Sequence, residues 1–209
     1  MDTATDPHRI GDLAALEKIY GRPAGAAVEK EKTSLHPHYQ LLISKTPFVA
    51  LATGGPGGLD ISPRGDPAGF VAVIDEHTLM IPDRKGNNRI DSLKNIVADP
   101  HVALLFLIPG IGETLRVNGR AHITTAPAVL ERFRMDGKLP RSVIVVAVEQ
   151  VFFQCSRAIW RSRLWEADAQ IDRASLPSLG RMVEDFSEAR IKAVDYDDNL
   201  YPRLKSTLY

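Results

Sequence analysis

Arg84, Lys85 and Gly86, followed directly by Asn87, Asn88 and Arg89, bring two cations, a flexible hinge and two amides to the start of an amphipathic segment. Those residue types at that spacing suit an oxyanion such as a phosphate. The first N–H groups of a helix have no partners inside it, and the macrodipole adds partial positive charge there. The spacing predicts a helix over residues 88–98, with Asn88 as its cap and Asp91 reaching back in a capping box. A second anion-binding element is Arg64 in Ser62-Pro63-Arg64-Gly65-Asp66, whose guanidinium can bind the same anion bidentately if the two segments meet. Other signals carry less. Gly54-Gly-Pro-Gly-Gly lacks the Gly-Lys-Ser/Thr ending of a P-loop and reads as a hairpin turn. His36 and His38 have no third ligand near in sequence, and Cys155 has no visible base partner and is expected to be a buried thiol. No Ser-His-Asp, paired-carboxylate or metal-ligand pattern is evident.

The elements that must position these residues are mostly strands. Phe48–Thr53, Leu59–Ser62, Phe70–Ile74 and Thr78–Ile81 read as short strands, with Asp75-Glu76-His77 as a turn. Residues 101–108 are apolar throughout, as in a strand buried on both faces. Residues 114–124 alternate: Leu115, Val117, Ala121 and Ile123 point one way, and Thr114, Arg116, Asn118, Arg120 and His122 the other. That polar face is either solvated or the wall of a cleft. Residues 143–153 read as another buried strand. Helices are expected at 10–20, at 37–45 with Leu41 and Leu42 buried, at 126–135, at 157–165 and, continuously, at 179–194. Closely spaced strands with helices at the two ends predict a mainly β protein, an antiparallel β-barrel with helical decorations.

Composition narrows the function classes. Lys plus Arg and Asp plus Glu balance at 26 each, so no basic excess points to nucleic acid. The longest apolar run is far too short for a bilayer span, and the first residues lack the pattern of a signal peptide, so a cytoplasmic protein without a membrane or nucleic-acid partner is expected.

The order Ser-Pro-Arg-Gly-Asp, hairpin, Ile-Pro-Asp-Arg-Lys-Gly-Asn-Asn-Arg, helix, Asn-Ile-(x)2-Asp-Pro-His-Val-Ala-Leu-Leu-Phe resembles the pyridoxamine 5′-phosphate oxidase-like flavoproteins. It is most similar to a subgroup of FMN-dependent enzymes of unassigned substrate, in which Pro-Gly-(x)2-Glu-Thr-Leu-Arg-Val-Asn-Gly-Arg-Ala (Pro109 to Ala121 here) is also typical. The resemblance covers residues 46–165 and leaves 1–45 and 166–209 as helical extensions. It implies a split β-barrel binding FMN at a homodimer interface, with FMN-dependent oxidoreductase activity on a small organic substrate. By position, it implies that Arg64, Lys85, Asn88, Arg89 and Ser92 hold the phosphate, and that the backbone of Ile81, Pro82 and Asp83 runs beside the flavin ring. Thr114 and Arg116 would face the flavin from their strand, and Trp160 with Arg161 or Arg163 would approach it from the partner. The chain departs from true pyridoxamine phosphate oxidases in their C-terminal signature, which argues against vitamin B6 oxidation. A non-catalytic flavin- or nucleotide-binding sensor or carrier, and the same fold holding a deazaflavin or a tetrapyrrole, stay open as alternatives.

Overall fold

The computed structural model describes residues 6–209 and divides after residue 31 into two compact units. In the first unit, helix α1 (Leu13–Tyr20) is capped by Asp12, which accepts from the Ala15 N–H at 2.8 Å, and ends at Gly21 with φ 69°. A single turn, α2 (Ala26–Glu29), follows.

The second unit opens with α3 (Pro37–Ser44), where Pro37 sits in the first turn and His36 Nδ1 accepts from the His38 N–H. Tyr39 and Ile43 face the core, and Leu42 packs against it; Leu41 is exposed, contrary to expectation, because it lies on the opposite side of the helix from Ile43 and Tyr39. The strands are β1 (Phe48–Gly55), β2 (Gly58–Gly65), β3 (Ala72–Asp75), β4 (Thr78–Asp83), β5 (His101–Leu107), β6 (Thr114–Thr124) and β7 (Ser142–Gln154). All pair antiparallel in one sheet of order β2-β1-β5-β6-β7-β4-β3. This is the mainly β architecture with peripheral helices that the strand pattern predicts, in the split-barrel form that the resemblance implies.

Leu51, Leu79, Ile81, Leu104, Phe106, Val117 and Ile144 are among the side chains filling the core. The alternation in β6 is as expected: Leu115, Val117 and Ala121 are buried, and Arg116, Arg120 and His122 exposed. Strand β5 differs from expectation. Val102, Leu104 and Phe106 are buried, while Ala103, Leu105 and Leu107 are only half-buried, because an antiparallel sheet covers one face with the core and leaves the other open. At the β6–β7 bulge, a Cβ on Gly119 would stand 2.1 Å from the Ala147 carbonyl oxygen, so only glycine fits.

Helix α4 (Asp91–Ala98) bridges β4 and β5 and packs over β1; Asn95 Nδ2 donates to Thr53 Oγ1 at 3.1 Å. After β6 comes α5 (Pro127–Glu131), shorter than expected, and then the tight Met135–Lys138 turn. Cys155 is exposed rather than buried, because the chain has left the sheet at Gln154. Helix α6 (Arg157–Ser162) follows, and the expected continuous helix over 179–194 is two: α7 (Leu179–Phe186) and α8 (Ala193–Ser206). Glu188 and Ala189 both take positive φ, which a helix cannot continue through. The two helices meet at Gly180, whose N–H donates to Asp197 Oδ1 at 2.7 Å.

Candidate functional site

The split in the barrel brings the end of β2 against the end of β4, although the two strands are not paired in the sheet. Arg64 and Asp83 form an ion pair across it, with side chains only 18% and 12% exposed. With the start of α4 above and the beginning of β7 to the side, these ends enclose a cleft of ≈ 550 Å³. That volume is in the range of cofactor sites.

The residues on β2 invert the usual pattern. Asp60, Ser62 and Arg64 are half-buried and line the cleft, while Leu59 and Ile61 are 94% and 69% exposed. Ser92 Oγ lies 2.7 Å from Asp60 Oδ2 and 2.8 Å from Ser62 Oγ, and Arg64 Nε donates to Ser62 Oγ at 3.3 Å. A carboxylate only accepts, so Ser92 spends its single hydrogen on Asp60 and Ser62 donates to Ser92. In this arrangement neither hydroxyl has a proton left for an anion.

Asn88 does not cap α4. The helix starts at Asp91, its cap is Ile90 with φ 53°, and no side chain accepts from its first amides. The reason lies in the loop: Asn88 itself takes φ 62°, and its Oδ1 accepts from Arg141 Nη1 at 2.7 Å. Asn87 Oδ1 instead accepts the Arg89 N–H at 3.1 Å. Asp91 forms no capping box; it receives Arg89 Nε at 2.8 Å and lies near Lys94 Nζ, and the Arg89 hydrogen bond foremost holds its carboxyl below the usual range. The helix end is thus open to a ligand. Four arginines (64, 84, 89 and 141) line the cleft against three aspartates (60, 83 and 91). Arg64 is paired with Asp83, Arg89 with Asp91 and Arg84, outside the cleft, with Asp66, while Arg141 forms no ion pair among the described residues, so the lining cation without a carboxylate partner is Arg141.

Of the residues singled out from sequence, Arg64, Asp83, Asn88, Arg89 and Ser92 line this one cleft. Pro82 and Lys85 line an adjoining recess of ≈ 220 Å³, and the Ile81 side chain is in the core. Thr114, Arg116, Trp160 and Arg161 lie elsewhere. The cleft adjoins the Thr124–Val143 end of the β6–β7 ladder, whereas Thr114 pairs with Gln154 at the other end, about 33 Å away at roughly 3.3 Å per residue. Trp160 is exposed and packs beside Gly112, close to Thr114 in the chain; Arg161 is exposed, and Arg163 is tied to Glu166 and Asp168. Arg116 is also exposed, its guanidinium 5.4 Å from the Phe152 ring centre.

Sequence reasoning missed Asp60 and Arg141. Asp60 was accessible from the two-residue spacing of 60, 62 and 64 on one strand face. Arg141 was not: it reaches the loop only because β4 pairs with β7, Asp83 opposite Ser142.

Among solved structures, HupZ of Group A Streptococcus is 23% identical over 58% of this chain and 94% of its own, with a TM-score of 0.46. General Stress Protein 26 of Bacillus anthracis is 14% identical (54% and 88% covered, TM-score 0.40), and an FMN-binding protein of Syntrophomonas wolfei is 10% identical (55% and 81% covered, TM-score 0.43). No protein of curated function matches. The sequence model of pyridoxamine 5′-phosphate oxidase matches residues 35–155, a span running from the start of α3 through the whole barrel and taking in the cleft. By that match, the chain belongs to the pyridoxamine 5′-phosphate oxidase family.

Proposed function

We propose that this protein binds FMN, with the phosphate in the cleft at the start of α4, and acts as an FMN-dependent oxidoreductase on a small organic substrate. The observation that carries the reading is the uncapped helix end flanked by Arg89 and by Arg141. The donor set fits the cofactor's tail. Arg89, Arg141 and the first amides of α4 suit a phosphate. Asp60 and Asp83, which would repel a phosphate in direct contact, suit the hydroxyl donors of a ribityl chain. Bound flavin would supply hydride transfer.

The other residues named from sequence then call for a second copy of the chain. Thr114, Arg116, Trp160 and Arg161 are too far from the cleft of their own chain to reach the same ring. In a homodimer they would come from the partner, and Arg116 would bring a positive charge to the flavin. The outward Leu59 and Ile61 on edge strand β2, and the half-buried apolar face of β5, are surfaces such a dimer would cover. The test is to purify the protein, add FMN, remove free flavin by gel filtration and record the spectrum and molar mass. A flavin spectrum on a dimer supports the reading; a colourless protein overturns the cofactor assignment, and a flavin-loaded monomer overturns the shared site.

A further inference from the structure

The charges lining the cleft do not all cancel within it. Arg64 pairs with Asp83, Arg89 with Asp91, and Arg84 with Asp66 outside the cleft. Two lining charges have no ion pair among the described residues: Arg141, whose Nη1 donates to Asn88 Oδ1 at 2.7 Å, and Asp60 on β2. They stand on different walls. Arg141 lies just ahead of β7, and Asp60 lies beside the first turn of α4, where Ser92 Oγ donates to its Oδ2 at 2.7 Å. One wall thus offers a cation and another an anion.

Asp60 is half-buried, and its Oδ1 has no hydrogen-bond partner among the described residues. A carboxylate only accepts, so a group that fills that place must donate. The neighbouring hydroxyls give a second anion no help. Ser62 donates to Ser92 and Ser92 to Asp60, while Arg64 Nε occupies the other side of Ser62 Oγ at 3.3 Å. Both hydroxyl hydrogens therefore run along the row toward the carboxylate. An anionic group brought to this wall would meet the Asp60 charge with no serine proton to receive it, and a like-charge contact is costly in a half-enclosed site. A ligand hydroxyl carries no such cost and supplies the donor that Oδ1 lacks.

We propose that Asp60 sets the ligand specificity of the cleft: it accepts from the hydroxyls of a polyol chain ending in a single phosphate, and it excludes a tail that carries a second anionic group. The proposal rests on the reading that puts the FMN phosphate beside Arg141 and deepens it, since a cleft of this kind selects FMN over FAD. Ser92 acts as a positioning residue, holding Asp60 through Oδ2 and leaving Oδ1 to the ligand. Asp60→Asn inverts the wall. Its amide nitrogen can donate to Ser92, the row of hydroxyls reverses, and the Ser62 hydrogen is released toward the ligand.

The test separates the cofactor's tail from its ring. The full-length protein is titrated with ribitol 5-phosphate and with pyrophosphate while backbone amide resonances are followed by NMR, and with FMN and FAD by flavin fluorescence. The wild type is expected to bind ribitol 5-phosphate more tightly than pyrophosphate, and FMN more tightly than FAD. Asp60→Asn should shrink both preferences about tenfold, the scale of one charged hydrogen bond. Pyrophosphate should also bind that variant more tightly than the wild type, a gain that mere loosening of the site would not give. Ser92→Ala keeps the carboxylate and should keep the preference for ribitol 5-phosphate. Three results would overturn the proposal: ribitol 5-phosphate bound no better than pyrophosphate by the wild type, a preference unchanged in Asp60→Asn, or one lost equally in Ser92→Ala. A protein that selects ribitol 5-phosphate through Asp60 yet takes no FMN would sink the flavin reading and leave the role of Asp60 standing. FMN preferred over FAD to the same degree in Asp60→Asn would do the reverse.

Discussion

Removing Arg64 should cost the protein stability before it costs any ligand. Its guanidinium pairs with Asp83 where both side chains are more than four-fifths covered, and it also donates to Ser62. Arg64→Ala leaves the Asp83 carboxylate nearly enclosed with no opposite charge. Breaking a fully buried pair from one side costs about 3–5 kcal/mol. The residual exposure here lets water reach both groups, so we expect about 2–3 kcal/mol. For a chain of this size that corresponds to a fall in Tm of roughly 4–12 °C. The assay is urea and thermal unfolding of the flavin-free protein, so that ligand binding does not contribute. Adding Asp83→Asn to Arg64→Ala removes the stranded charge and should restore more than half of the loss. A single variant that unfolds within about 0.5 kcal/mol of the wild type, typical of an inconsequential surface change, would refute this account of the pair. So would a double variant no more stable than the single.

Other perturbations probe other parts. Arg141→Ala, at an exposed residue, should leave unfolding unchanged and weaken FMN binding about tenfold or more, the scale of a charged hydrogen bond; unchanged affinity in a fluorescence titration would remove the phosphate from the cleft. Gly180→Ala would set a Cβ 2.3 Å from the Ala193 carbonyl oxygen, so the α7–α8 pair should loosen by about 1–3 kcal/mol, read as faster amide exchange in residues 179–206 with the barrel unaffected. The Tyr209 phenol is held above the ordinary value of 10.0, first by its hydrogen bond to Asp66, then by burial and the Asp66 charge. Its contribution to stability is therefore complete below pH 10 and lost as pH rises through the raised folded value; burial raises Tyr39 as well, so an ultraviolet phenolate titration of Tyr209→Phe should show one late-ionising tyrosine fewer than the wild type, and curves that differ only by an ordinary tyrosine would contradict the contact. Ile61→Asp on the outer face of β2 should convert a dimer to a monomer by light scattering without unfolding it, and an unchanged mass would move the interface elsewhere.

The strand content, the glycine hairpin between β1 and β2, the alternation of β6 and the cationic loop after β4 were all legible in the sequence, because each is written in neighbouring residues. The order of Ser62-Pro63-Arg64 and the 84–89 loop also carried enough to indicate an anion site and a family. The helix start was misread because a capping box is only one use for Asn88 and Asp91: Arg141 takes the first and Arg89 the second. Likewise 101–108 reads as fully buried in composition, and only the open face of the sheet shows otherwise. What the tertiary structure alone decided is which polar groups meet. Arg64 faces Asp83, Asn88 faces Arg141 and Asp66 faces Tyr209 across separations of 19, 53 and 143 residues. Those meetings follow from strand register and barrel closure, set by side chains packing across the whole core, and a local window of sequence holds no record of that packing.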